Sequence, residues 1–110
     1  MLHMEVYPAL PTEAASIRKE VFMEEQGFVE EFDEIDHQAR HIVVFNGEVP
    51  VGTCRFYWDQ ERNSYVLGRV AVRKAFRGQS LGLVLVQECE RQVIASKANK
   101  LFLAAQVRVK

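Results

Sequence analysis

Residues 64–93 read SYVLGRVAVRKAFRGQSLGLVLVQECERQV, and the order of elements in this stretch decides the rest of the chain. Tyr65 to Val72 is an apolar, β-branched run of the kind that forms a buried strand. A short basic loop follows over Arg73 to Gln79, holding Arg73, Lys74, Arg77 and Gly78. Ser80 then stands where a helix N-cap is expected, ahead of Leu81, Leu85, Cys89 and Val93 at spacings of four. Strand, basic glycine-bearing loop and helix N-terminus in that order make a place for an anion. The free N–H groups of the first helical turn face the loop, and the helix dipole adds partial positive charge there. The loop is neither a P-loop nor the GxGxxG fingerprint of dinucleotide-binding folds. An ordinary strand-to-helix loop with surface arginines is the plainer reading of the same residues.

The chain has 110 residues, 48% of them hydrophobic, which suits one domain with a modest core. It shows no signal peptide, no run long and apolar enough to span a membrane, and no repeat. Cys54 and Cys89 lack metal-ligand spacing and sit in apolar patterns, so buried, reduced thiols and a cytoplasmic location are expected, with no metal. A disulfide between the two stays open. The formal charge of −1 hides an asymmetry: residues 1–61 carry 13 acids and 4 bases, residues 62–110 carry 2 acids and 10 bases. The first part stands at −9 and the second at +8. Such a split fits a protein that holds a polyanion with one half and a cationic group with the other, and equally one whose halves attract each other. Nucleic acid suits the basic half poorly, because its bases interleave with core residues and no aromatic ladder accompanies them.

Along the chain, Met4 to Tyr7 reads as a first strand ended by Pro8 and Pro11. Thr12 is a candidate N-cap for a helix over Glu13 to Gln26, with Ile17, Val21 and Phe22 inward and Gly27 as its stop. Val29 to Phe32 suggests a second short helical segment, and Asp33 to His37 a loop. Between Glu20 and Asp36 there are eight acids and no base; the run reads as solvated surface, or in part as the lining of a site for an amine. His41 to Phe45 and Val49 to Trp58 form a hairpin around Asn46-Gly47, with Pro50 tolerated near a strand end. Asp59 to Asn63 makes a second turn, Tyr65 to Val72 a third antiparallel strand, and Leu101 to Val107 a strand parallel to it after the long helix. Trp58 and Tyr65 flank the turn as packing. The order β-α-α-β-β-β-α-β predicts an α+β domain with a mixed, mostly antiparallel sheet flanked by helices.

Arg77-Gly78-Gln79-Ser80-Leu81-Gly82 resembles the pyrophosphate-binding loop of the GNAT N-acetyltransferases, Arg/Gln-x-x-Gly-x-Gly/Ala, with Ser80 in place of the middle glycine. More of the chain resembles one branch of that superfamily, the small proteins related to ElaA and YjcF. The matching stretches are Ile17-Arg18-Lys19-Glu20-Val21-Phe22, Glu25-Gln26-Gly27, Asp33-Glu34-Ile35-Asp36, His41, Val51-Gly52-Thr53 with Arg55, Gly68-Arg69-Val70-Ala71-Val72, and Leu103-Ala104-Ala105-Gln106. The resemblance implies the acyl-CoA N-acyltransferase fold as far as its fifth strand, in a single domain over 1–110 that stops short of the family's last helix and two strands. With them would go the tyrosine often assigned as the acid that reprotonates the thiolate. An unpaired edge left there would invite a homodimer.

The resemblance further implies acetyl-CoA as co-substrate and direct attack by a primary amine of a small molecule or peptide. Val70, Ala71 and Val72 would offer backbone groups to the pantetheine arm, with the N–H of Val70 on the carbonyl oxygen. Arg77, Gly78, Gln79, Ser80, Leu81 and Gly82 would hold the pyrophosphate. Glu25, His41 and Arg69 are the side chains expected to reach the acceptor side, and His41 has the right unperturbed pKa for a base near neutrality. Each has a plainer role: Glu25 ordering the loop after its helix, His41 structural, Arg69 pairing with the acidic segment. Against the enzyme stand two other readings, a non-catalytic CoA- or anion-binding remnant and a module that dimerises through its sheet edge.

Overall fold

A computed structural model of the protein describes residues 2–27, 32–96 and 101–103. Strand β1 (Leu2–Tyr7) leads to helix α1 (Thr12–Arg18), whose winding loosens directly into a π-helix over Lys19–Glu25. After a 3-10 turn (Glu34–His37) come β2 (Arg40–Asn46), β3 (Val49–Asp59) and β4 (Ser64–Val72). A short 3-10 turn (Lys74–Phe76), helix α2 (Leu81–Ala95) and β5 (Leu101–Leu103) complete the described chain. The five strands lie in sequence order in one sheet, antiparallel from β1 to β4, with β5 parallel to β4. The predicted α+β architecture holds. The expected helix over Val29 to Phe32 lies largely in residues 28–31, and the end of the expected fifth strand in 104–107, both outside the described residues.

Three local expectations are corrected. The helix begins at Thr12 itself with Pro11 as its N-cap residue, since proline's fixed φ prepares the entry and it has no N–H to satisfy. Asp33 to His37 is not plain loop but a 3-10 turn, in which the Asp33 N–H donates to the Asp36 carboxylate at 3.1 Å. The hairpin turn falls on Gly47 and Glu48, with Asn46 opposite Val49; Gly47 at φ 65° supplies the left-handed first position that matches strand twist. Pro50 sits where the β2–β3 register shifts, a place where a missing N–H does no harm.

The sheet separates two apolar layers. On one face α2 lays Leu81, Leu85, Val86, Cys89 and Val93 against Ile42, Val44, Val51, Cys54, Phe56, Leu67 and Val70. The four-residue spacing of Leu81, Leu85, Cys89 and Val93 keeps all four on the buried stripe of the helix. Gly52 permits the close approach: a Cβ there would stand 2.9 Å from Val44 Cγ1 and 3.4 Å from Leu85 Cδ1. On the other face Ala14, Ile17, Val21 and Phe22 pack on Val43, Phe45 and Ala71.

Strand β4 contains a bulge. Thr53 opposes Ala71 while Arg55 opposes Gly68, so the single residue Cys54 faces both Arg69 and Val70. Arg69 takes φ 52° to make room for the extra residue, a left-handed conformation that costs a non-glycine residue roughly 1–2 kcal/mol. Among the described residues β5 pairs with Tyr65–Leu67, and β3 is the strand paired to β4 beyond the bulge.

Candidate functional site

The end of β4 runs into the loop, and the loop into α2. Arg77, Gly78, Gln79 and Ser80 are all exposed. Gly78 stands at φ 87°, with nothing within 4 Å of where a Cβ would be, so the loop opens onto free space. Helix α2 begins at Leu81 and its first backbone bond runs from the Val84 N–H to the Ser80 carbonyl at 3.1 Å. The N–H groups of Leu81, Gly82 and Leu83 precede that bond and have no helical acceptor. Open space, turned-out backbone donors and a nearby guanidinium fit a diphosphate.

Ser80 occupies the expected N-cap position but does not cap with its side chain. Its backbone is left-handed, φ 60° and ψ 27°, where an N-cap is normally extended. That is the reason a glycine suits this place in the loop. Ser80→Gly is expected to stabilise the protein by about 0.5–1 kcal/mol, the relieved strain outweighing the extra freedom of the unfolded chain. Urea unfolding measures it, and an unchanged midpoint would show that the serine hydroxyl repays the strain.

Two arginines flank the loop, each engaged by a glutamate from the π-helix. Arg73 meets Glu20 at 2.5 Å and donates Nε to the Pro50 carbonyl at 2.9 Å. Arg77 meets Glu25 at 2.6 Å and donates Nε to the Val72 carbonyl at 3.0 Å. Glu25 is thus placed beside the arginine of the loop.

On the α1 face, at the bulge, lies a larger charged cluster. Asp36 accepts four hydrogen bonds: from Arg18 Nη1 and Nη2 at 2.7 and 3.0 Å, Arg55 Nη1 at 3.0 Å and the Asp33 N–H at 3.1 Å. Asp33 in turn accepts from Arg55 at 2.6 and 3.2 Å and from Arg69 at 3.3 Å. Arg69 therefore ties the bulge to the 3-10 turn. Phe32 and Tyr57 lie over the guanidiniums of Arg18 and Arg55 at 4.9 and 5.8 Å. Burial alone would raise the pKa of Asp36, but the hydrogen bonds and charge of Arg18, with the Asp33 N–H and Arg55, overcome it and hold the carboxyl at about 2. Asp33 is also held low, chiefly by its hydrogen bond from Arg55.

His41 is fully buried, and its Nε2 lies 3.1 Å from the Asp36 carbonyl. A carbonyl only accepts, so Nε2 carries the hydrogen. Burial lowers the pKa of the ring. The structure thus brings together Val70–Val72 and Arg77–Gly82 with Glu25 at one end of β4, and sets Arg69 and His41 in the ionic cluster. The ion pairing of Arg18 and Arg55 with Asp33 and Asp36, and of Arg73 with Glu20, was not read from the sequence. One signal was there: Asp-x-x-Asp at 33–36 has the spacing of a capping turn.

Cys54 and Cys89 are both free and buried. Burial pushes both thiols up, Cys89 to about 12. Among the described residues no group of His, Cys, Asp and Glu is arranged to hold a metal, and no helix is long and apolar enough to cross a membrane.

A bulged strand that opens into a basic, glycine-bearing loop at a helix N-terminus is an arrangement that suits a phosphate-bearing ligand. The profile of the acetyltransferase (GNAT) family matches residues 5–109, and the chain belongs to that family. The uncharacterized N-acetyltransferase YjcF of Bacillus subtilis (strain 168) is 34% identical over 98 residues, covering 87% of this chain and 69% of that one. The fold matches that of Escherichia coli ElaA with a TM-score of 0.82 at 23% identity, over 94% of this chain and 77% of that one. It matches an acyl-CoA N-acyltransferase from Pseudomonas aeruginosa with a TM-score of 0.81 at 24% identity, over 96% and 80%. The chain spans between 55% and 69% of the length of three curated Bacillus subtilis relatives.

Proposed function

We propose that this chain binds acetyl-CoA and catalyses transfer of its acetyl group by direct attack on the thioester by a primary amine of a small molecule or peptide. The observation that carries the reading is the continuous path from the bulge at Arg69, along Val70–Val72, to the open loop at Gly78 and the first turn of α2. Acetyl-CoA supplies an activated acetyl group as a thioester. Arg77 to Gly82 hold the pyrophosphate through backbone N–H groups and the guanidinium. Val70, Ala71 and Val72 align the pantetheine arm, and the Val70 N–H, at the bulge, steadies negative charge on the carbonyl oxygen.

Arg69 serves by fixing that bulge through Asp33. His41 is a scaffold residue in this reading, because a buried neutral ring bonded to a carbonyl has no route to the amine. The ammonium proton leaves to solvent. The protonated, unpaired thiols support a cytoplasmic location. A second reading, a CoA-binding protein without catalysis, is favoured by the Cβ that Ser80 places in the loop.

Thermal unfolding with excess acetyl-CoA tests the proposal. At a hundredfold excess over its dissociation constant the ligand adds about 2.7 kcal/mol, a clear rise in midpoint. Arg77→Ala is expected to weaken binding about tenfold, the loss of one charge-assisted contact at an exposed site. No rise in the wild-type chain sinks the cofactor assignment. A rise without acetylation of any amine in a broad screen favours the second reading.

A further inference from the structure

Glu20 and Glu25 stand five residues apart. On an α-helix that spacing turns two side chains about 140° away from each other, at 3.6 residues per turn. Here the segment winds as a π-helix, closed by a hydrogen bond of 3.2 Å from the Gln26 N–H to the Val21 carbonyl five residues back. In such winding, residues five apart return to the same face. Both carboxylates therefore reach the one loop, Glu20 to Arg73 and Glu25 to Arg77.

The two arginines are held differently. Arg73 is bound on three sides, to Glu20, to the Pro50 carbonyl, and to Ser16 Oγ at 3.4 Å. It braces α1 and the π-helix against the start of β3. Arg77 is bonded through Nε to the carbonyl of Val72, the residue that ends β4, and its side chain is 42% exposed. Its Nη2 meets the Glu25 carboxylate, and the next residue in the chain is Gly78, beside which the space is open.

We infer that Glu25 is a competing ligand for Arg77 that sets how tightly the diphosphate of the cofactor is held, while Glu20 is only a brace. This rests on the acetyl-CoA reading of the loop. Binding exchanges the carboxylate for a phosphate oxygen at Arg77 Nη2, and departure of the product CoA re-forms the ion pair. The exchange trades one anion for another on the same guanidinium, so the gain is smaller than the phosphate contact alone would give. The released carboxylate also stays near the bound diphosphate and repels it. Both effects weaken affinity and speed release, and glutamine at this position removes both without changing the size of the side chain.

The experiment is calorimetric titration of acetyl-CoA and CoA into the wild-type chain, Glu25→Gln and Glu20→Gln, at low and high salt. Glu25→Gln is expected to bind both ligands about fivefold tighter, ~1 kcal/mol, with slower CoA dissociation in stopped flow. Its advantage should shrink as salt screens the ion pair. Glu20→Gln should bind as the wild type does and melt at a lower temperature. If Glu25→Gln melts normally yet binds CoA equally or more weakly than the wild type, Glu25 organises the loop and the inference is overturned. If no chain binds either ligand, the cofactor reading itself falls and the competing role falls with it.

Discussion

Replacing Asp36 by alanine is expected to remove about 3–5 kcal/mol of folding stability, the cost of stranding buried charge. Arg18 is 1% exposed and Arg55 4% exposed, and both donate to this one carboxylate. Without it Arg18 loses both of these bonds in the interior, and Arg55 is left to its pair with the half-exposed Asp33. Native domains have only ~5–15 kcal/mol in hand, so the loss is a large share of the total. Chemical denaturation of Asp36→Ala beside wild type measures it; a change under 1 kcal/mol would mean that Asp33 alone balances both arginines.

The same cluster makes the fold acid-sensitive. Asp36 titrates at 3.8 unfolded and at about 2 folded, so between those values the unfolded chain binds more protons than the folded one. Its contribution, about 2 kcal/mol at 1.36 kcal/mol per pKa unit, is full above the unfolded value and is lost as pH falls through the folded one. His41 acts in the same direction from higher pH. Its buried ring resists the proton that the unfolded chain accepts near 6.5, so stability begins to decline below that point. The wild-type stability curve should therefore slope downward from about pH 6.5 and steepen below 4. Asp36→Ala should keep the first part of the slope and lose much of the second.

The second large effect is expected on the opposite face. Leu85 is fully buried in the middle of α2 and lies over Gly52. Leu85→Ala should lower stability by 2–5 kcal/mol, lost transfer energy plus a cavity, read as a fall in denaturation midpoint at unchanged slope. Because Gly52 offers no side chain to fill the gap, the site has little means of collapse, and the upper half of that range is expected. A second measurement follows from the geometry: Leu85 holds the helix whose first turn follows the loop proposed to take the diphosphate. Acetyl-CoA should recover part of the lost midpoint in Leu85→Ala, since a ligand bound only to the folded state adds its binding energy to either chain.

How much of this was legible in the sequence depends on whether the cause is local. The strand, loop and helix of residues 64–93 announce themselves because Leu81, Leu85, Cys89 and Val93 repeat within a single helix. Ser80 was legible as a boundary, but its left-handed backbone was not, since serine at an N-cap ordinarily stays extended. The ionic cluster was hidden for a different reason. Asp36 meets Arg18 across 18 positions and Arg55 across 19, and Asp33 meets Arg69 across 36, and no local pattern records such pairings. An acidic run reads as solvated surface until the arginines are placed opposite it. The π-helix left no trace, because nothing in Lys19–Glu25 distinguishes i→i+5 from i→i+4 winding. His41 looked like a base because its intrinsic pKa is right; only the position of the Asp36 carbonyl shows what its ring is bonded to.

The bulge at Arg69 makes β4 sensitive to length rather than to identity. Ahead of it the odd-numbered Tyr65 and Leu67 face α2; beyond it the even-numbered Val70 and Val72 face the same helix, and Ala71 turns to the α1 layer. The strand is thus written in two phases joined at one residue. Loss of the single codon for residue 69 would remove the extra residue and leave a regular ladder, with Val70 opposite Cys54, Ala71 opposite Thr53 and Val72 opposite Gly52, so that every side chain downstream keeps its face. What would be lost is the bulge itself, together with the Arg69 contact to Asp33 that ties it to the 3-10 turn. A substitution at this position changes one side chain, whereas a deletion there would straighten the edge that the cofactor is proposed to use.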